Sequence, residues 1–336
     1  MGDANTSEKA LDEKAIVAAA ERALADIAAI RREIGKVIFG QESVVEQTML
    51  AVLSGGHALL VGVPGLAKTK LVSTLGIVLG LESSRIQFTP DLMPSDILGS
   101  EVMEQDETGR RSFRFIPGPI FAQLLMADEI NRASPRTQSA LLQSMQEYHV
   151  TVAGQRHDLP APFHVLATQN PLEQEGTYPL PEAQLDRFLM LVDILYPEIE
   201  AERRILLETT GVDEAKAANV LDAARLRAIQ GLIRRMPVPE SVVEAILTLV
   251  RSARPGTGNA DTDRHVAWGP GPRASQALTL CARARALYDG RLAPSVDDVH
   301  ALAEPVLQHR MALTFAARAE GMHVRDVISR LVKAAG

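Results

Sequence analysis

The stretch His57-Ala-Leu-Leu-Val-Gly-Val-Pro-Gly-Leu-Ala-Lys-Thr69 constrains the rest of the chain most. Ala58 to Val61 is a short apolar run of the kind that forms a buried parallel strand. Gly62, Val63, Pro64, Gly65, Leu66 and Ala67 then make a tight loop, and Lys68, Thr69 and Lys70 open a helix. Strand, glycine loop and helix N-terminus together suit a polyphosphate. Backbone N–H groups converge there, the helix dipole is positive, and a lysine adds its charge. Thr69 offers a hydroxyl to a Mg²⁺ ion accompanying the phosphates. Against the pattern G-x-x-x-x-G-K-[S/T], Ala67 stands where the second glycine belongs. Alanine lacks the freedom of glycine at positive φ, so the match fails by one methyl group.

A second stretch carries the complementary chemistry. Leu124 to Ala127 is apolar and ends on Asp128 and Glu129. A buried strand that delivers two carboxylates to its C-terminal edge places them beside the glycine loop of an α/β sheet. In that position Asp128 holds the Mg²⁺ shell through water, and Glu129 polarises the attacking water as general base. Phe163 to Thr168 reads as a further buried strand that brings Thr168, Gln169 and Asn170 to the same edge. Asn170 either hydrogen-bonds the γ-phosphate or water, or simply makes an Asn-Pro turn. Arg187 ends a short helix, Leu180–Arg187, that feeds a strand over 188–194, the fifth when the short strand read at Arg85-Ile-Gln-Phe88 is counted. Its guanidinium can face solvent, pair with Asp186, or reach a neighbouring subunit's phosphate. Ile38 and Gly40 lie in an apolar turn ahead of this region, which wraps an adenine ring or packs onto the core.

The remaining segments set the domain plan. Residues 1–13 read as a disordered tail, followed by an Ala-rich helix from Lys14 to Ile38. Residues 89–118 are rich in Pro and Gly and hold two alternating runs about the Asp106–Gly109 turn, a β-hairpin signal. A second hairpin is expected over 149–160, about Ala153-Gly154. Beyond Tyr196-Pro197 the pattern becomes helical, with a long loop from Arg254 to Pro272 and Arg273 opening the helix after it. The division expected is an α/β nucleotide-binding domain over 14–195 and an all-helical domain over 196–336.

Bulk properties narrow the function. The 336 residues carry 35 basic and 42 acidic side chains, a net charge of −7, which argues against a surface built for nucleic acid. Cys281 is the one cysteine, so no intramolecular disulfide can form; its apolar setting marks it as a core residue. No apolar run approaches the ~20 residues that span a bilayer. With a polar N-terminus as well, a cytoplasmic location without membrane insertion is expected.

Read in order, Gly62-Val-Pro-Gly-Leu-Ala-Lys-Thr69, Leu124-Leu-Met-Ala-Asp-Glu-Ile-Asn-Arg132, Ala167-Thr-Gln-Asn-Pro171 and Glu175-Gly-Thr-Tyr-Pro-Leu-Pro-Glu-Ala-Gln-Leu-Asp-Arg-Phe188 resemble the MoxR family of AAA+ ATPases. The resemblance continues through Gly271-Pro-Arg-Ala-Ser275 and Pro305-Val-Leu-Gln-His-Arg310. It implies an α/β AAA+ P-loop core, a five-stranded parallel sheet with helices on both faces and β-hairpin insertions, followed by an all-α lid. By the same resemblance Lys68 and Thr69 belong to Walker A, and Asp128 and Glu129 to Walker B. Asn170 takes the place of sensor 1, Arg187 of the arginine finger (with Arg132 and Arg136 as runners-up), and Arg273 of sensor 2. Residues 89–118 correspond to the helix-2 insert and 149–160 to the pre-sensor-1 hairpin, both directed at a ring pore. Such a protein hydrolyses ATP with Mg²⁺ in a homo-oligomeric ring, a hexamer. It remodels or matures protein clients, inserting a cofactor or metal in some, beside a separate partner with a von Willebrand factor A domain. A magnesium-chelatase-type motor subunit and a DNA-dependent AAA+ motor are the alternatives, the second favoured only by Arg110, Arg111, Arg114 and Arg156 near the hairpins. A slow nucleotide-gated scaffold fits the intact Glu129, Asn170 and Arg187 less well, and a small-molecule P-loop kinase would need neither a sensor 2 nor an arginine finger in trans.

Overall fold

The computed structural model describes residues 17–105, 111–173, 176–211 and 215–335. In chain order the first elements are α1 (Gly2–Ile34), α2 (Glu42–Leu53), β1 (Ala58–Val61), α3 (Lys68–Leu79), β2 (Ser83–Gln87), α4 (Pro94–Leu98), β3 (Gly99–Gln105) and β4 (Arg111–Pro117). They are followed by β5 (Leu124–Asp128), α5 (Pro135–Glu147), β6 (His149–Val152), β7 (Gln155–Asp158), β8 (His164–Gln169), α6 (Glu182–Leu185), β9 (Met190–Asp193) and α7 (Ile199–Thr209). The tail expected over residues 1–13 and the turn expected at Asp106–Gly109 lie outside the described residues.

Residues 38–214 form one compact unit. Its sheet has five parallel strands in the order β2-β5-β8-β1-β9. The central strands are buried along nearly their whole length, as strands covered on both faces must be: every residue of β5 is buried, down to Asp128, and so is β8 from His164 to Thr168. α2 packs on β1 and β9, and α3 on β5. β1 lies between β8 and β9, so the chain leaves β1 at a point where strand order reverses, the place where α/β sheets open a crevice.

Two histidines fix the lower end of this sheet. His57 Nδ1 accepts from the Val165 N–H at 2.9 Å, so its Nε2 carries the proton and donates to Met145 O at 3.1 Å. His164 Nδ1 donates to Gly56 O at 2.8 Å. Burial and the neighbouring His164 push the His57 ring down to about 3, and burial lowers His164 as well. Both rings therefore fold neutral. A base depressed in the folded state contributes stability that is complete above its unfolded value near 6.5 and is lost as pH falls toward 3. We expect His57 alone to remove about 1.4 kcal/mol of stability for each pH unit below 6.5. Chemical denaturation at pH 7, 5.5 and 4.5 checks this, with His57→Gln flattening the slope. An unchanged slope in that variant would contradict it.

Two antiparallel hairpins leave the sheet, β3–β4 in register Gly99↔Pro117 to Gln105↔Arg111, and β6–β7 in register His149↔Asp158 to Val152↔Gln155. They are joined by a stacked pair, Phe115 on His157 at 3.8 Å between ring centroids, with Phe121 edge-on to Phe115 at 5.6 Å. At the neck of the first hairpin, a Cβ built on Gly99 would run into Ile116 O and one on Gly118 into Ile97 O. Met103 and Phe113 pair across its outer part and are exposed, Phe113 by 70%.

The second compact unit comprises residues 1–37 and 215–336. It adds α8 (Ala223–Arg235), α9 (Glu240–Ser252), α10 (Ala260–His265), β10 (Val266–Trp268), α11 (Pro272–Tyr288), α12 (Val296–Leu307), β11 (Ala312–Leu313), α13 (Phe315–Ala319) and α14 (Val324–Ala335). It is helical apart from the small antiparallel pair β10–β11. The units divide differently from the sequence expectation at both ends. α1 groups with the helical unit, because Asp26 accepts two hydrogen bonds from Arg225 at 2.6 and 3.0 Å, and Arg31 lies over the Tyr288 ring at 4.6 Å. α7 stays with the sheet unit, where Arg204 lies over the Phe39 ring at 4.4 Å. The expected Arg254–Pro272 loop holds α10, capped by Asn259 Oδ1, and β10. Cys281 is buried in α11, as its apolar setting suggested.

Candidate nucleotide site

The glycine loop runs from the carboxyl end of β1 into the first turn of α3. Gly62 is required by close approach. Its amide donates to Gln169 O at 3.2 Å, and a Cβ would sit 2.7 Å from Ile194 O at the end of β9. Ala67 takes the left-handed conformation, φ 57° and ψ 22°, that the missing glycine would have adopted. The extra methyl group is thus accommodated at a backbone cost of about 1 kcal/mol. Lys68 Nζ donates to Gly62 O, and to Val63 O at 3.3 Å, folding the ammonium over its own loop. Burial lowers the Lys68 ammonium, and the charges of Asp128, Glu129 and Glu173 work against that lowering. Lys68 and three carboxylates therefore share this edge of the sheet. Thr69 and Lys70 follow in the same turn, both half-buried.

Asp128 and Glu129 are held in different ways. Asp128, 8% exposed, accepts from Thr168 Oγ1 at 2.5 Å through Oδ1 and from the Arg85 guanidinium at 2.5 Å through Oδ2. The same Thr168 hydroxyl accepts the Glu129 N–H at 2.8 Å. Thr168 thereby pins the Glu129 backbone at φ 55°, a left-handed position costly for a non-glycine residue. The Glu129 carboxylate accepts from Gln87 Nε2 at 2.9 Å and from Arg132 at 3.0 Å. Arg85 and Gln87 are linked at 3.0 Å, which closes a hydrogen-bonded circuit around both carboxylates.

The donor set suits a hard divalent cation: a carboxylate and a hydroxyl, with no nitrogen or sulfur ligand required. Each oxygen of Asp128 accepts one side-chain donor and keeps a second lone pair for a metal-bound water. Asn170 is 3% exposed and its Oδ1 accepts the Leu172 N–H at 3.1 Å, so the Asn-Pro turn is real and the side chain lies at the edge beside Thr168. Arg187 is half-buried just past α6. Arg132 is engaged with Glu129, while Arg136 is exposed. Arg273 is exposed in the first turn of α11, in the other unit. Ile38 and Phe39 are buried, and Gly40 faces Ala201 too closely for any side chain, so this turn packs onto α7.

Sequence reasoning did not single out Arg85, Gln87 or Glu173. The signal for the first two was present in β2, where Arg85 and Gln87 flank Ile86. Their shared parity puts both on one face of a strand whose end lies beside Asp128.

Residues 57–190 match the model of the ATPase family associated with various cellular activities (AAA), and residues 259–331 match the AAA lid domain. Sheet order, glycine loop and paired carboxylates accordingly define an AAA-type ATPase core with its lid. A crystal structure of a candidate ATPase from Cytophaga hutchinsonii is 36% identical, with a TM-score of 0.89 over 96% of this chain and 98% of that one. The chaperone MoxR1 of Mycobacterium tuberculosis is 43% identical over 90% of this chain and 79% of its own length. The protein MoxR of Methylorubrum extorquens is 32% identical over 85% of this chain and 87% of its own. The chain belongs to the MoxR family of AAA+ ATPases. Among the described residues, no helix is long and apolar enough to cross a membrane.

Proposed function

We propose that this chain hydrolyses ATP in a ring of identical subunits and uses the energy to remodel or mature protein clients. The observation that carries this reading is the placement of Asp128 and Glu129 by one residue, Thr168, at the sheet edge that also bears the glycine loop. Loop amides and Lys68 bind the β- and γ-phosphates. Thr69 and Asp128 hold Mg²⁺, which when bound neutralises charge on the phosphates. Glu129 orients water for in-line attack, and Asn170 contributes a hydrogen bond at the same edge. Arg187 serves the neighbouring subunit's site and Arg273 the chain's own, as in the family pattern. Ile38 and Gly40 border the base.

The exposed Met103 and Phe113 on β3–β4 favour a protein client over nucleic acid: they offer an apolar contact, and the Arg114 charge on the same hairpin is paired with Glu104 at 3.0 Å. A partner with a von Willebrand factor A domain remains part of the proposal through the family alone.

The test is ATPase rate per subunit against protein concentration, with mass measured at each point. We expect the specific rate to climb as rings form. Mixing two inactive variants, Lys68→Ala and Arg187→Ala, should restore part of the activity, because some interfaces then pair an intact loop with an intact arginine. A flat specific rate from a monomer, or no recovery on mixing, would sink the shared site.

A further inference from the structure

Arg85 lies on the edge strand of the sheet, outside every motif that marks the nucleotide site. Strands β2 and β5 are parallel with Arg85 opposite Met126 and Gln87 opposite Asp128. This register lets the long Arg85 side chain reach one step forward to Asp128. Its guanidinium donates to Asp128 Oδ2 at 2.5 Å and to Gln87 Oε1 at 3.0 Å. The side chain is 51% exposed while that of Asp128 is 11% exposed. The carboxylate is thus fixed and walled in, by Thr168 on one oxygen, while the cation stands at the water boundary.

We propose that Arg85 is a resident counter-ion that competes with the nucleotide's divalent cation for Asp128, and so sets the Mg²⁺ concentration at which nucleotide binds in its metal-loaded form. The inference rests on the nucleotide reading above. It follows from charge. An Asp128 carboxylate already neutralised by a guanidinium attracts a dication and its ordered waters less strongly than a free one. The release route also exists. β2 has no strand beyond it, so the guanidinium can swing into solvent and keep its hydration while Asp128 turns its attraction to the metal shell. Arg85 is thereby a positioning residue. It acts through Asp128.

The test measures ADP binding by calorimetry across free Mg²⁺, with a parallel titration in chelator. Arg85→Gln removes the charge while keeping a hydrogen-bonding amide, and Arg85→Lys keeps the charge. In the Gln variant we expect the half-saturating Mg²⁺ concentration to fall ~10-fold, an order of magnitude that a single nearby charge at a partly wet site can produce. ADP affinity in chelator should not change. The Lys variant should stay within about twofold of wild type, and thermal melts of all three confirm folding. An unmoved Mg²⁺ midpoint in Arg85→Gln overturns the proposal, as does an equal loss of affinity with and without metal, which would make the pair purely structural. If wild type itself bound ADP at no Mg²⁺ concentration, the nucleotide reading would fail first, and that result is distinct from either of the others.

Discussion

Glu129→Gln is expected to bind ATP as well as wild type does and to hydrolyse it 10²- to 10⁴-fold more slowly, the usual worth of a general base. The amide is isosteric with the carboxylate. It keeps an oxygen that accepts from Arg132 or Gln87, and the left-handed backbone at this position, pinned by Thr168, is no harder for Gln than for Glu. What the variant loses is the basic oxygen. Nucleotide affinity by calorimetry and single-turnover hydrolysis separate the two effects. Retained binding with a near-silent chemical step supports the assignment. A rate within threefold of wild type would remove Glu129 from the reaction and leave the site a nucleotide-responsive scaffold.

The second large effect concerns stability. Asp298 is the third residue of α12 and its side chain is wholly buried. It accepts from Arg285 at 2.8 Å, from Arg291 at 2.7 and 2.6 Å, and from the Ser295 N–H at 2.8 Å. Burial alone would raise this carboxyl. Hydrogen bonds from Arg291 and Ser295, with the charge of Arg291, overcome that and hold it below the ordinary range. Removing the carboxylate leaves two guanidinium groups facing each other and a helix-cap N–H without its acceptor. Breaking such a pair from one side costs ~3–5 kcal/mol. Arg291 is 39% exposed and can recover some hydration, which places Asp298→Ala near the lower end. Trp268, the one tryptophan, lies in this same unit and reports directly on it. Urea denaturation followed by its fluorescence should show a midpoint well below wild type. A shift equivalent to less than 1 kcal/mol would mean the arginines hold each other apart without Asp298.

Legibility varied with the kind of signal. The central strands were readable because strands covered on both faces must carry an apolar run, and Leu124–Ala127 in β5 and Val165–Ala167 in β8 do. The carboxylate pair was readable because it interrupts such a run. Three things were not. The partners of those carboxylates come from β2, whose polar alternation looks like an ordinary edge strand until its register against β5 is known. The grouping of α1 with the helical unit depends on Asp26 meeting Arg225, a contact almost two hundred residues apart in the chain. The elements α10, β10 and β11 are too short for periodicity to reveal, and are held by Asn259 capping and a bulged pairing.

The neck of the first hairpin has a mechanical consequence. Gly99 and Gly118 lie so close to the backbone opposite that neither position could carry a methyl group, and the paired strands run unbroken from there to Gln105 and Arg111. The hairpin is therefore tightly packed at its root, backbone against backbone. Its two ends continue through residues 88–98 and 118–123 into β2 and β5, so a load placed on Phe113 would have a covalent path to the strands bearing Gln87 and Asp128. The Phe115–His157 stack ties the β6–β7 arm to the same hairpin.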